Sequence, residues 1–296
     1  MKIKSRNVIL AVLFVLYFLM RLYFSLQTEY FNSDYSYFAL RQIEHIKDTG
    51  RPLIEDDLSF GGRTYVFMPF YYYLLAFFAK FFPEILIIKI LNNFFASTLI
   101  IAVYLVSSKI MQNRRIAVIT AIVSATIPVY IDETLNNISM YSIVFPCSFF
   151  LIYFFIQLRN DKKMLNYLIP LTVILVLTSP ITILIVFGMI IFLILSYIEN
   201  MPVERIELEF ISFFIFFYLW ANFIIYKTAF QEQGFSIIWE NVPYFTGNYL
   251  SSISFLAVAT SIGLLPLVFG IYTIYNYIMK KKSRNILLII SLFFVD

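Results

Sequence analysis

The chain has 296 residues, of which 61% are apolar, 20% aromatic and 14% charged, and its mean hydropathy is +0.83. A water-soluble domain covers its surface with roughly a quarter charged residues, and disordered or nucleic-acid-binding chains are poor in Phe, whereas 34 Phe and 22 Tyr stand here; those classes are excluded and a membrane protein is left. The net charge of +4 is too small to imply a polyanionic partner, and Cys147, the only cysteine, excludes an internal disulfide and a cysteine-built zinc site.

Apolar runs of about 20 residues are long enough to cross a hydrocarbon core of about 30 Å. They predict an all-α, polytopic bundle of at least eight transmembrane helices: Asn7 to Gln27, Ile85 to Val106, Ile116 to Ile131, Tyr141 to Gln157, Leu165 to Thr178, Ile181 to Ile198, Phe210 to Tyr226 and Ile253 to Ile278. A further run, Asn285 to Asp296, is too short to span, and the chain is expected to continue past it. With no repeat and no second soluble domain, residues 1–296 read as one membrane unit. The first run lacks a small-residue cleavage site and reads as a retained helix.

Alternate connections carry Lys2/Lys4/Arg6, Lys109/Arg114/Arg115, Arg159/Lys162/Lys163, Arg205 and Lys280/Lys281/Lys282/Arg284, which is 14 of the 22 basic residues. The positive-inside rule puts these, and the N-terminus, in the cytoplasm. The outer side then holds a first loop at about 28–66, a second at about 132–140 and a segment at about 227–252 that reads as a cover or acceptor lid. The connection from Glu199 to Glu209 has four Glu and one Arg yet must lie inside, and acidic residues contribute little to orientation.

In the first outer loop, Ser33 can N-cap a helix and Gly50 can end it. Tyr35, Ala39, Ile43 and Ile46 recur at helical spacing between them, which predicts an amphipathic helix lying on the outer leaflet. Asp34 falls in its first turn, facing the positive end of the helix dipole. It is either a favourable first-turn residue or a carboxylate placed to accept a proton or ligate a hard cation. His45, the only histidine, reads as a headgroup contact, as do Arg41 and Lys47. A helix begins at Pro69, and Tyr71 to Tyr73 on it read as a membrane-interface anchor. Asn92 and Asn93 are expected to hydrogen-bond another helix.

The order of Arg21-Leu22-Tyr23-Phe24, Asn32-Ser33-Asp34-Tyr35, Gly50-Arg51-Pro52, Asp56-Asp57, Gly61-Gly62-Arg63, Pro69 and Tyr71-Tyr72-Tyr73-Leu74-Leu75 carries a resemblance. Lys89 opening the second span, Arg114-Arg115, Pro128 and Leu177-Thr178-Ser179-Pro180 extend it. From about Arg21 to Pro180 the chain resembles the GT-C glycosyltransferases that use polyprenyl-phosphate sugars. It is similar to the protein O-mannosyltransferases and the lipid A aminoarabinose transferase, and more loosely to the catalytic subunit of oligosaccharyltransferase. The resemblance implies sugar transfer from a polyprenyl-phosphate donor to a protein, lipid or glycan acceptor at the external face of a prokaryotic cell membrane, with no nucleic-acid partner.

In that family a first-loop Asp is essential for catalysis, and the match falls on Asp34. Two departures stand out. Tyr35 follows it where the O-mannosyltransferases have Glu, and Thr134-Leu135-Asn136-Asn137-Ile138-Ser139 stands where the oligosaccharyltransferase subunit has Asp-x-Asp for a metal. The expectation is therefore no cofactor and no metal, with Asp34 as base and Asp132 or Glu133 assisting; the alternative for those two is a solvated helix end. Cations must meet the departing phosphate, and the candidates in order are Arg63, Lys89 and Arg21. The alternative for Lys89 and Arg21 is snorkelling to the surface. A transporter or flippase of lipid-linked sugars, and a non-catalytic subunit of a glycosylation complex, remain the other classes.

Overall fold

The computed structural model describes residues 2–58, 62–111, 113–234, 254–264, 266–268, 270–272, 275 and 284–293. Its helices are α1 (Lys2–Ser25), α2 (Asp34–Thr49), α3 (Phe70–Ala79), α4 (Glu84–Met111), α5 (Arg114–Ala125), α6 (Pro128–Thr134), α7 (Tyr141–Leu158), α8 (Leu165–Thr178), α9 (Thr182–Ile198), α10 (Arg205–Gln233), α11 (Phe255–Ile262) and α12 (Arg284–Phe293). A two-stranded antiparallel hairpin, β1 (Glu55–Asp56) and β2 (Arg63–Thr64), lies between α2 and α3.

Among the described residues, four helices are long and apolar enough to cross a membrane: α1, α4, α7 and α10. A fifth span results if α5 and α6, bent by 52°, are taken together. The bend has a local cause. Pro128 has no N–H for the helical ladder, and Ile127 before it is extended at φ −61, ψ 122. Of the eight runs expected to span, α8 and α9 fall short by themselves: 14 and 17 residues rise only about 21 and 26 Å. The run from Ile253 to Ile278 begins as the eight-residue α11, which stops at Gly263. The segment expected at 227–252 starts as helix, since α10 runs to Gln233, and residues 235–253 lie outside the described residues.

Helix α4 is the hub, with α1, α3, α5, α6 and α7 packed along it. Ala117, Ala121 and Ala125 form one buried stripe of α5, and small residues at four-residue spacing let backbones approach where no hydrophobic force drives apolar helices together. On the other side α9 packs against α12 and α10. Arg159 and Glu204 form an ion pair at 3.0 Å, so the connections after α7 and before α10 share one end of the bundle.

The first loop is a packed layer. α2 begins and ends where its caps predict: the Ser33 hydroxyl accepts from the Ser36 amide at 3.3 Å, and Gly50 adopts φ 75, a left-handed conformation that glycine enters without steric cost. Its buried side chains Ala39, Ile43 and Ile46 face protein, because α2 packs on α3; the outer-leaflet reading of this face is corrected accordingly. Gln42 pairs with the Leu53 backbone like a strand, donating to its carbonyl and accepting from its amide, both at 2.9 Å. Arg41 holds Asp56 with two contacts of 2.6 and 3.0 Å, and Lys47 pairs with Glu84 at the start of α4. These two cations tie the loop to itself and to the bundle, in place of the headgroup contacts expected.

Candidate functional site

Asp34 opens α2 and is exposed. Its position is fixed by a joint between the connection after α1 and the one after α6. The Asn32 amide donates to the Asn136 carbonyl at 3.1 Å, and the Asn136 amide nitrogen lies 2.9 to 3.0 Å from Thr28 Oγ1, the Tyr30 carbonyl and Asn32 Oδ1. Ser36 Oγ donates to Asn137 Oδ1 at 3.4 Å and accepts from the Ile138 amide at 2.9 Å. Asn137 in turn donates to the Asp132 carbonyl at 2.9 Å. The joint brings the segment around Asp34 against the loop that follows Asp132 and Glu133, which sit exposed in the last turn of α6.

Beneath the joint lies a buried polar frame. Arg21 is 1% exposed and donates from Nε to Asn93 Oδ1 at 3.1 Å, from Nη1 to the Tyr17 hydroxyl at 3.1 Å and from Nη2 to Thr134 Oγ1 at 2.7 Å. It therefore joins α1, α4 and α6, with its guanidinium also over the rings of Tyr17 and Tyr130. The Tyr17 hydroxyl donates to the Ala125 carbonyl at the bend between α5 and α6. Lys89 is 2% exposed and donates to the carbonyls of Ser25 at 2.9 Å and Thr28 at 2.5 Å, with its ammonium over the Phe31 ring. Asn92 donates to the Thr134 carbonyl at 2.6 Å, and its Oδ1 accepts from the Tyr71 hydroxyl at 2.7 Å and the Ser139 amide at 3.3 Å. Asn92 and Asn93 thus both bond other helices, as intramembrane amides are expected to do.

These contacts separate the sequence candidates. Asp34, Asp132 and Glu133 are exposed at the helix ends that flank the joint. Arg21 and Lys89 reach neither the surface nor a free anion position; snorkelling and direct phosphate contact both give way to a structural role, because each has found several oxygens inside the protein. For Arg63 the backbone pairs with Asp56 in the hairpin, and its side chain lies outside the described residues, as do 59–61. Among the described residues no group of three or more His, Cys, Asp or Glu is placed to hold a metal ion.

Sequence reasoning missed the tyrosines. Tyr71 and Tyr72 are buried in protein, and only Tyr73 is exposed, since consecutive helical residues point about 100° apart and three in a row cannot share a lipid face. The Tyr71 hydroxyl also meets Ser142 Oγ at 3.1 Å, and the Tyr72 hydroxyl shares a 2.5 Å hydrogen bond with that of Tyr35. Tyr141 lies within electrostatic reach of Tyr35 and of Glu133, and Tyr226 of α10 within reach of Tyr35. The run Tyr71-Tyr72-Tyr73 was the available signal; which member turned inward depended on partners from α2, α4 and α7.

No protein-family model matches the chain, and no curated protein matches it. Several helices are long and apolar enough to span a membrane, and the functional reading rests on the residues themselves.

Proposed function

We propose that the chain is a membrane glycosyltransferase of the GT-C kind, moving a sugar from a polyprenyl-phosphate donor to an acceptor hydroxyl at the external face of the membrane. The observation that carries this reading is the placement of Asp34: an exposed carboxylate opening a capped helix, held against the loop of Asp132 and Glu133 by several hydrogen bonds. A carboxylate on a tethered segment suits general-base work, because the base must stay within hydrogen-bond reach of the hydroxyl it deprotonates.

The acceptor oxygen attacks the anomeric carbon of the donor and its proton passes to Asp34. The bond from that carbon to the phosphate oxygen breaks, and the phosphate leaves on its lipid with the electron pair. Arg63 is the cation assigned to that phosphate, since a guanidinium fork donates two hydrogen bonds at once. Asp132 or Glu133 orients the sugar. Arg21 and Lys89 are positioning residues that hold the loops on the bundle.

A transporter reading is less well supported. Transport proteins place ionisable groups around a path near the middle of the bilayer, whereas Asp34 opens α2, after the chain has left the apolar helix α1. The test is Asp34→Asn in the purified chain, assayed with polyprenyl-phosphate sugars and cell-envelope acceptors. Transfer should fall at least about a hundredfold while the melting temperature holds. Full activity in that variant overturns the assignment, and a wild-type chain that turns over only when a second protein is added favours the subunit reading.

A further inference from the structure

Five aromatic rings from three elements meet next to Asp34. Tyr35 and Phe38 come from α2, Tyr65 and Phe67 from the stretch between β2 and α3, and Tyr72 from α3. Ring centroids lie 6.0 Å apart for Tyr35 and Phe38, 5.0 Å for Phe38 and Tyr65, 6.1 Å for Phe38 and Phe67, and 5.2 Å for Phe67 and Tyr72. Four of them form the body of a wall. Tyr35 is its exposed end, at 44% of its surface.

Tyr35 is oriented opposite to a membrane anchor. An anchoring tyrosine buries its ring in acyl chains and turns its hydroxyl to water. Here the hydroxyl turns inward to Tyr72 at 2.5 Å, and the exposure belongs to a residue whose polar end is engaged. Burial raises the Tyr35 hydroxyl above its ordinary pKa, in keeping with an enclosed polar end. The surroundings are unsuited to a lipid tail, since Asp34 precedes Tyr35 on the exposed side of α2.

A fixed aromatic face beside carboxylates and amides is the surface that a pyranose ring recognises. One face of a pyranose is lined by C–H groups carrying partial positive charge, which lie against the electron-rich face of an aromatic ring, while the equatorial hydroxyls project sideways to polar partners. Tethering the Tyr35 hydroxyl removes the rotational freedom that such a contact would otherwise cost.

We propose that Tyr35, backed by Phe38 and Tyr72, is a stacking subsite for a pyranose ring held next to Asp34. The inference rests on the glycosyltransfer reading and deepens it, because it names a residue that selects sugar over bare lipid phosphate. The pyranose belongs to the donor or to a glycan acceptor.

The test measures binding to the purified chain in detergent. The probes are citronellyl phosphate carrying mannose, glucose, galactose or N-acetylglucosamine in turn, citronellyl phosphate without sugar, and short soluble oligosaccharides of the same sugars. Tyr35→Ala and the bulkier, non-aromatic Tyr35→Leu should each weaken one sugar-bearing probe roughly three- to tenfold, with sugar-free citronellyl phosphate unchanged and Tyr35→Phe within about twofold of wild type. Loss confined to a citronellyl-linked sugar assigns the donor ring, and loss confined to an oligosaccharide assigns the acceptor. Equal weakening of the sugar-free lipid overturns the proposal and makes Tyr35 a lipid contact. Wild type that favours a sugar-bearing probe, with both variants unaltered, overturns the subsite and leaves glycosyltransfer standing. Wild type that distinguishes none of the sugars from bare citronellyl phosphate, and binds no oligosaccharide, overturns both.

Discussion

The Lys89 ammonium lies 2.9 Å from the carbonyl oxygen of Ser25, the last residue of α1. The final carbonyls of a helix have no intrahelical partner and carry the negative end of its dipole, so a cation from α4 closes α1 at the point where the chain leaves the bundle. The second carbonyl it reaches, that of Thr28 at 2.5 Å, extends the hold toward the loop of Asp34.

Lys89→Met should therefore lower thermal stability. Two carbonyls lose their donor, and for the one on buried Ser25 the cost is about 1–3 kcal/mol; relief of the buried charge offsets part of that. Melting followed by circular dichroism in detergent should show the loss, and amide exchange in the segment after Ser25 should rise. Had Lys89 instead contacted donor phosphate, the variant would lose affinity with an unchanged melting point.

The local features of this layer were legible in the sequence because neighbours in the chain decide them. Ser33 and Gly50 bound α2 as their capping chemistry requires, and Pro69 immediately precedes α3. The fates of Arg21 and Lys89 were not legible: the oxygens that engage Arg21 include those of Asn93 and Thr134, more than seventy positions away. A cation near a span end looks the same in sequence whether it serves a phosphate, a headgroup or another helix. The carboxylates of the candidate site could be named from their place in the loops, whereas the joint that gathers them runs through Asn32, Ser36, Asn136 and Asn137, polar residues with no distinctive spacing.

Gly188 sets how closely α12 approaches α9. A Cβ there would lie 2.3 Å from Leu292 Cδ2 and 3.1 Å from Leu292 Cα, so the leucine would have to rotate and the backbone to shift. Gly188→Ala should destabilise by roughly 1–2 kcal/mol, after about 1 kcal/mol of gain from higher helix propensity. Combining it with Leu292→Ala should cost less than the sum of the two single changes, because the second removes the side chain that collides. Strict additivity in melting experiments would show that the two helices do not meet there.

The pair of Lys47 and Glu84 predicts a pH dependence with a definite sign. The hydrogen bond to Glu84 raises the Lys47 pKa, burial opposing it and the charges of Glu84, Asp48 and Glu44 adding to it. The folded chain holds that proton more tightly than the unfolded one. The stabilisation is complete below the ordinary lysine value of about 10.4 and disappears as pH rises through the higher folded value. A partly exposed pair contributes at most about 1 kcal/mol. The melting-point difference between wild type and Lys47→Met should hold steady up to about pH 10 and shrink above it; a difference that grows in alkali would contradict the pairing.

Under the proposed glycosyltransfer, sugar transfer should proceed without a divalent cation, because the second-loop residues are already engaged elsewhere. Thr134 accepts from Arg21 through its hydroxyl and from Asn92 through its carbonyl, while Asn136 and Asn137 join the loop to the first one. Those groups hold the loop in place, and Asp34, Asp132 and Glu133 stay exposed beside it. Under the proposed glycosyltransfer, Arg63 is the cation assigned to the leaving phosphate. A phosphate carries its charge in the ground state as well as the transition state, so Arg63→Ala should raise the donor KM more than it lowers kcat. Chelation should leave transfer by the wild-type chain unchanged, and added magnesium or manganese should not compensate for the loss of Arg63. If chelation abolishes transfer and either ion restores it, the carboxylates of Asp34 and of Asp132 or Glu133 become cation ligands, and the role of base passes to another group.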